Sequence, residues 1–252
     1  MSRQFNGTDQ VIRVGDVATI DITGTALTLS AWVKPFVVPS SEWITCFAKW
    51  ESAPGTPVWQ YALSIHQTSS RPAGGIGTGT GSTNDFTGDT GNEIVRPMEW
   101  QHHALVKDGV AGQSLRVYYN GNETDSTAST GTIPNTAAEL QFGGPGLTTA
   151  GSDVDAAETL IGLMAECGIW NVALTAAQIQ ELANGVLPSA VQAANLVGYW
   201  PLTGTDSPEL DRSGNGNNGT VVGGAPMNTD RPRQGEKRHH TAQFPKPLLR
   251  GA

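Results

Sequence analysis

The five histidines and two cysteines of this 252-residue chain are the first candidates for chemistry. His102 and His103 are adjacent. Neighbours in a strand point to opposite faces, so the pair cannot chelate one ion together. His239 and His240 sit in a charged, Pro-punctuated stretch and are read as solvated or contact residues. Cys46 and Cys167 are too few for a disulfide framework and are read as two buried thiols. No G-x-S-x-G string occurs, and the strand pattern brings no Cys/His pair together, so nothing supports a nucleophilic triad. Acidic residues abound, yet none is embedded in an aromatic-rich strand where burial would raise its pKa for glycosidase-type catalysis. The chain is therefore expected not to be an enzyme. What remains is recognition. Trp43, Trp50 and Trp59, with Tyr61 close by, are the candidate ligand-binding residues, because exposed rings stack on sugars or anchor a protein interface.

The elements that must position these residues are strands. Gly 31 and Pro 15 among many Thr, Ser and Asn argue for short strands joined by many turns. In residues 26–33, Leu27, Leu29, Ala31 and Val33 share one face at period two. Leu115, Val117 and Tyr119 do the same, and Asn120-Gly121 then signals a turn. From 161 to 170 the same alternation puts Ile161, Leu163, Ala165, Cys167 and Ile169 on one core face. One stretch, 175–184, reads as helix: Thr175 caps it, Ile179, Leu182 and Ala183 fall at i, i+3, i+4, and Gly185 ends it. Residues 67–93 form a long Gly/Thr/Ser-rich loop, and a shorter one runs from 143 to 152.

Five strings occur in order: FNGTD from Phe5, LSAWVKP from Leu29, WQHHALV from Trp100, LRVYYNG from Leu115 and GLMAECGIWNVALT from Gly162. Together they resemble the laminin-G-like, concanavalin-type jelly-roll family, whose strings look like F-D-G-x-D, S-A-W-V-K-P, W-x-H-V-A-L-V, L-x-L-Y-x-D-G and G-x-I-D-E-V-R-I-Y-N-R-A-L-S. A sixth, LVGYWPL from Leu196 with DRSGNGNNGT from Asp211, precedes the first in many members and here closes the domain. The resemblance implies an all-β, two-sheet antiparallel jelly-roll sandwich with one short helix. It makes Trp32, Trp100, Trp170 and Trp200, which fall inside the strings, structural. It also brings calcium into view, since some members bind partners around that ion. Here Asn6 and Ala165 replace two of the family's carboxylates, which weakens the set. No cofactor is required; Asn6, Asp9, Glu166 and Asp211 are the oxygen donors a calcium ion would use. For Glu166 the plainer reading is a solvated residue on the outer face of its strand.

The net charge of −8 is unevenly spread. Residues 225–252 hold Arg231, Arg233, Lys237, Arg238, Lys246 and Arg250 against Asp230 and Glu236, a net +4, which leaves −12 for residues 1–224. An acidic body argues against nucleic-acid binding by that body. No run of 18 apolar residues occurs, so no membrane insertion is expected. The opening MSRQFNGTDQ lacks the layout of a secretory signal, and a chain complete as written would be made in a cytoplasm. Residues 1–224 are read as the sandwich and 225–252 as an extended, basic, partner-binding arm. The GLMAECGIWNVALT string resembles those of single-domain chains carried by tailed phages. The leading expectation is thus a virion component, a capsid-decoration or tail-associated protein, whose arm binds other subunits or copies of itself. The alternative is a carbohydrate-binding or adhesion module acting outside the cell or at its surface, with a glycan as partner.

Overall fold

The computed structural model describes residues 1–38, 43–52, 58–78, 84–88, 90–109, 114–147 and 158–232. The strands run β1 (Ser2–Asn6), β2 (Val11–Val14), β3 (Leu27–Pro35), β4 (Ile44–Ser52), β5 (Val58–Ile65), β6 (Pro72–Gly77), β7 (Asn84–Thr87) and β8 (Gln101–Asp108). Next come β9 (Ser114–Tyr119), β10 (Asn122–Ala128), β11 (Leu140–Phe142), β12 (Gly146–Leu147) and β13 (Ile161–Trp170). Helix α1 (Ala176–Ala183) precedes β14 (Leu196–Trp200), β15 (Thr220–Val222) and β16 (Met227–Asn228). Among the described residues these strands form two eight-stranded sheets. Sheet one has the order β10-β9-β8-β3-β13-β1-β16, with β14 also on β13. Sheet two has the order β15-β2-β11-β4-β5-β6-β7, with β12 beside β4. All pairs are antiparallel except β12–β4. The fold is the expected all-β jelly-roll sandwich.

The predicted alternation holds in β3 and β9. Leu27, Leu29, Ala31 and Val33 point into the core with Leu115 and Tyr119, facing Phe47, Leu63 and Phe142 of sheet two. Burying each such large side chain contributes about 1.5–3 kcal/mol. Helix α1 is capped as predicted: the Thr175 hydroxyl accepts from the Gln178 amide, and the Gln178 side chain accepts from the Thr175 amide. Its apolar face, Ile179 and Leu182, packs on the outer face of sheet one against Ala104, Val106 and Tyr118.

Strand β13 departs from simple alternation. Cys167 and Ile169 join the core, but Leu163 and Ala165 lie on the outer face with Trp100, and Met164 points inward instead. A register shift between Ala165 and Gly168 is the cause, with Glu166 at φ +54°. One extra residue inverts a period of two. The stretch expected as a loop over 67–93 also contains two strands, β6 and β7. Their glycines are there for space: a Cβ on Gly74 would come within 2.9 Å of both the Ala62 carbonyl and the Leu105 side chain.

The sequence ends each sheet with chain from 196 onward. Strand β15 pairs with β2, and β16 pairs with β1. Arg3 of β1, 1% exposed, donates to Glu209 at 2.9 and 3.1 Å and to the carbonyls of Ala225 (2.7 Å) and Asp206 (2.8 Å). The packed body therefore runs past the expected boundary at 224. Asp230 still binds it, accepting from Lys34 Nζ at 2.6 Å and from Trp100 Nε1 at 3.0 Å. Burial pushes the Asp230 carboxyl up, but the hydrogen bonds from Lys34 and Trp100, the Lys34 charge and the Arg231 amide together outweigh it and hold it below the usual range.

Candidate functional site

Two places on the surface gather recognition chemistry, one on each outer face. On sheet two, Ala48, Ala62, Gly75 and Phe86 lie opposite one another across β4, β5, β6 and β7. A Cβ on Gly75 would sit 2.7 Å from the Phe86 ring, so the ring lies flat over that glycine. Lys49 and Trp50, adjacent in β4, point to opposite faces, and a register shift between them sets Trp50 opposite Trp59. Lys49 is fully buried, with Nζ 2.8 Å from Asp16 and 2.9 Å from Asp21, and it also donates to the Thr136 and Ala138 carbonyls. Trp50 instead stacks on Trp59, with centroids 3.7 Å apart at 15°. The row continues by an edge contact from Trp59 to Phe86 (5.2 Å), a tilted one from Phe86 to Trp43 (5.2 Å) and an edge contact from Trp43 to His66 (4.6 Å).

The four expected ligand residues therefore separate. Trp43 and Trp59 are half-buried and keep surface to offer. Trp50 is only 8% exposed because Trp59 covers it, so it supports rather than touches. Tyr61 does not belong to the site: it lies in the core, and its hydroxyl donates to the Ile20 carbonyl at 2.9 Å. Phe86 is the ring that sequence reasoning missed, hidden in the glycine-rich stretch read as loop.

On sheet one, a cavity of about 600 Å³ opens beside α1. Its floor is Ser30 and Trp32 of β3, His102 of β8 and Glu166 of β13; Leu182, residues 185–188 and Arg231 form walls and rim. Ser30 Oγ lies 2.8 Å from His102 Nε2, and the Trp32 ring meets the imidazole edge-on at 5.5 Å. His102 Nδ1 is buried without a hydrogen-bond partner. Burial, helped by His103, lowers the His102 pKa to about 3, so this imidazole is neutral. As alternation requires, His103 points the other way, into the core against Tyr119.

The β13 bulge places Glu166 in this cavity. The Tyr199 hydroxyl donates to Oε2, and Oε1 has no hydrogen bond to the described residues. Burial raises the Glu166 carboxyl above its ordinary value, more than the Tyr199 bond lowers it. Glu166 is therefore not the solvated strand residue expected, and Trp32 is not simply structural, whereas Trp170 and Trp200 are fully buried and Trp100 nearly so. A carboxyl with a raised folded pKa favours the fold at low pH and loses that contribution as pH rises through its folded value. Glu166→Gln is thus expected to raise the melting temperature at pH 7 and to leave it nearly unchanged at pH 4. An increase of equal size at both pH values would contradict the burial effect.

The four calcium donors are not brought together. Among the described residues no three of His, Cys, Asp and Glu are grouped as a metal would need. Asn6 Nδ2 donates to Asp9 at 2.7 Å, and Asn6 Oδ1 accepts from the amides of Thr8 and Asp9. Asp211 is occupied as a loop organiser, accepting from the amides of Tyr199, Ser213 and Asn217. Of the arm, Arg231 is exposed at the cavity rim. Arg233, Lys237, Arg238, Lys246 and Arg250 lie outside the described residues. No helix among the described residues is long and apolar enough to cross a membrane.

No curated protein sequence matches the chain. Several solved structures share its fold. A Bacteroides ovatus protein described as a candidate carbohydrate binder superposes with TM-score 0.63 at 19% identity, over 91% of this chain and 61% of that one. The heptameric SAP-like pentraxin of Limulus polyphemus gives 0.53 at 17% identity, over 74% and 83%. Domain 4 of AbnA, a GH43 extracellular arabinanase from Geobacillus stearothermophilus solved with arabinotriose, gives 0.51 at 22% identity, over 72% and 76%. The model of the concanavalin A-like lectin/glucanases superfamily, in its laminin-G form, matches residues 6–180, from the end of β1 into α1. That match, the two jelly-roll sheets and the ordered strings place the chain in one family: it belongs to the concanavalin A-like lectin/glucanases superfamily.

Proposed function

We propose that the chain is a non-catalytic carbohydrate-binding module acting outside the cell or at its surface, and that the row Trp43–Phe86–Trp59 is its glycan platform. The carrying observation is the row itself: half-buried rings in continuous contact, backed by Trp50 and His66, beside the small residues Ala48, Ala62 and Gly75. Sugar rings present apolar C–H faces that stack on such aromatics, while their hydroxyls stay solvated. The fold shared with an arabinotriose-bound domain and with a candidate carbohydrate binder supports this over the virion reading. The test is a neutral-oligosaccharide array with the intact chain. Trp59→Ala is expected to abolish binding to the best glycan while near-ultraviolet dichroism shows a folded protein. Undiminished binding by Trp59→Ala and Trp43→Ala would sink the platform.

The charge asymmetry favours a second reading, a tailed-phage surface subunit held through residues 225–252, which carry +4 beside a body of −12. Here the expected result is salt-sensitive binding to the particle that deletion of residues 233–252 removes.

A further inference from the structure

We infer that the cavity on the outer face of sheet one is a second saccharide site, taking one neutral pyranose-sized residue on the Trp32 ring. The inference shares the carbohydrate reading above but is independent of the aromatic row, which lies on the opposite sheet. Its volume, about 600 Å³, is within the range of small-ligand sites and holds a mono- or disaccharide. The lining carries one carboxylate, Glu166, with the Arg231 guanidinium and the Met1 amino terminus near it, while His102 is neutral. The Trp32 ring and the apolar wall, rather than a matched charge, select for a neutral ring.

The polar groups are those a ring of hydroxyls completes. Tyr199 fixes Glu166 Oε2 from behind, which leaves Oε1 as an oriented acceptor for a ligand hydroxyl. The Ser30 hydroxyl spends one bond on His102 and has capacity for another. His102 is 1% exposed and its Nδ1 is unpartnered, a state that costs about 1–3 kcal/mol unless a ligand hydroxyl or a bridging water satisfies it. Leu182, Val186, Leu187 and Pro188 complete an apolar wall opposite this polar floor. Structurally, Glu166 reaches the cavity through a left-handed residue inside a bulge, a conformation unfavourable for glutamate and found most often beside functional sites. With a platform on one face and a cavity on the other, one molecule would bridge two glycan chains.

The experiment is saturation-transfer NMR on the full chain, with a panel of methyl gluco-, galacto-, manno- and xylopyranosides and their neutral disaccharides as probes. The Trp59→Ala variant silences the platform. In that background at least one probe is expected to stay saturated, to weaken about tenfold with Glu166→Gln, and to be lost with Trp32→Ala. Glu166→Gln keeps size and shape, so its result stands even if Trp32→Ala folds poorly. Should Trp59→Ala remove all binding while the cavity variants keep it, the cavity inference fails and the platform stands. Should Trp59→Ala change nothing while the cavity variants remove binding, the inference stands and the platform fails. Silence of every probe on every form of the protein overturns both.

Discussion

Replacing Arg3 with methionine is expected to lower the unfolding free energy by about 3–5 kcal/mol, because it strips the partner from a buried carboxylate. Arg3 and Glu209 have side chains only 1% and 3% exposed, and they meet at 2.9 Å. Two more guanidinium protons go to the Ala225 and Asp206 carbonyls, and the amides of Thr203 and Gly204 donate to Glu209, so both partners are held by further hydrogen bonds. Such a pair adds little against a well-packed apolar substitute, yet breaking it from one side is costly. Arg3 also ties β1 to the segment that closes the sandwich, so the loss should spread to β16. Urea denaturation gives the measurement. The double variant Arg3→Met/Glu209→Gln is expected to recover part of the loss, since the orphaned charge is gone. A single-variant loss under about 1 kcal/mol would mean that water reaches Glu209 and the pair is effectively a surface one.

Acid is expected to unfold the protein well before its carboxylates alone would. His102 and His103 are 1% and 0% exposed, and burial lowers both pKa values from 6.5 to about 3. In the unfolded chain each takes a proton near pH 6.5. In the fold neither does until about pH 3, so their contribution is intact above 6.5 and drains away as pH falls between those values. By pH 4 the loss amounts to about 3 kcal/mol per imidazole, a large share of the 5–15 kcal/mol typical of a domain. His103 has no hydrogen-bond partner at either nitrogen. His103→Leu should therefore hold stability at pH 7 and remove about half of the loss between pH 7 and pH 4. Thermal melts across that range decide the matter, and an unchanged pH slope in His103→Leu would refute it.

Periodicity and local chemistry were sufficient for much of the fold. Leu27, Leu29, Ala31 and Val33 announce a half-buried strand because each strand buries every second residue, whatever lies across from it. Thr175 and Gln178 announce a helix start because a capping box is satisfied within four residues. The opposite faces of His102 and His103 follow from the same strand geometry. The candidate sites were less legible. Phe86 and the strands β6 and β7 were hidden in a glycine-rich stretch, since Gly74 and Gly75 are demanded by Leu105 and Phe86, residues brought near only by folding. Tyr61 and Trp59 are two residues apart, but only the packed sandwich places one in the core and the other in the aromatic row.

The cavity shows the limit most plainly. Its floor comes from Ser30 and Trp32 of one strand with His102 and Glu166 of two others, and Arg231 stands at its rim, four stretches distant in sequence. Four of these fall in strings that mark the family, and of them Trp32 reads as structural and Glu166 as solvated. The β13 bulge settled it, seating Glu166 in the cavity and reversing the faces of Leu163 and Met164. Sequence alone determined the all-β class, the helix and the faces of the regular strands β3 and β9, because those depend on neighbours within a few residues. Tertiary structure alone decided which aromatics stay accessible and where a carboxylate meets a tryptophan, because bulges and cross-strand register bring together residues that no local period relates.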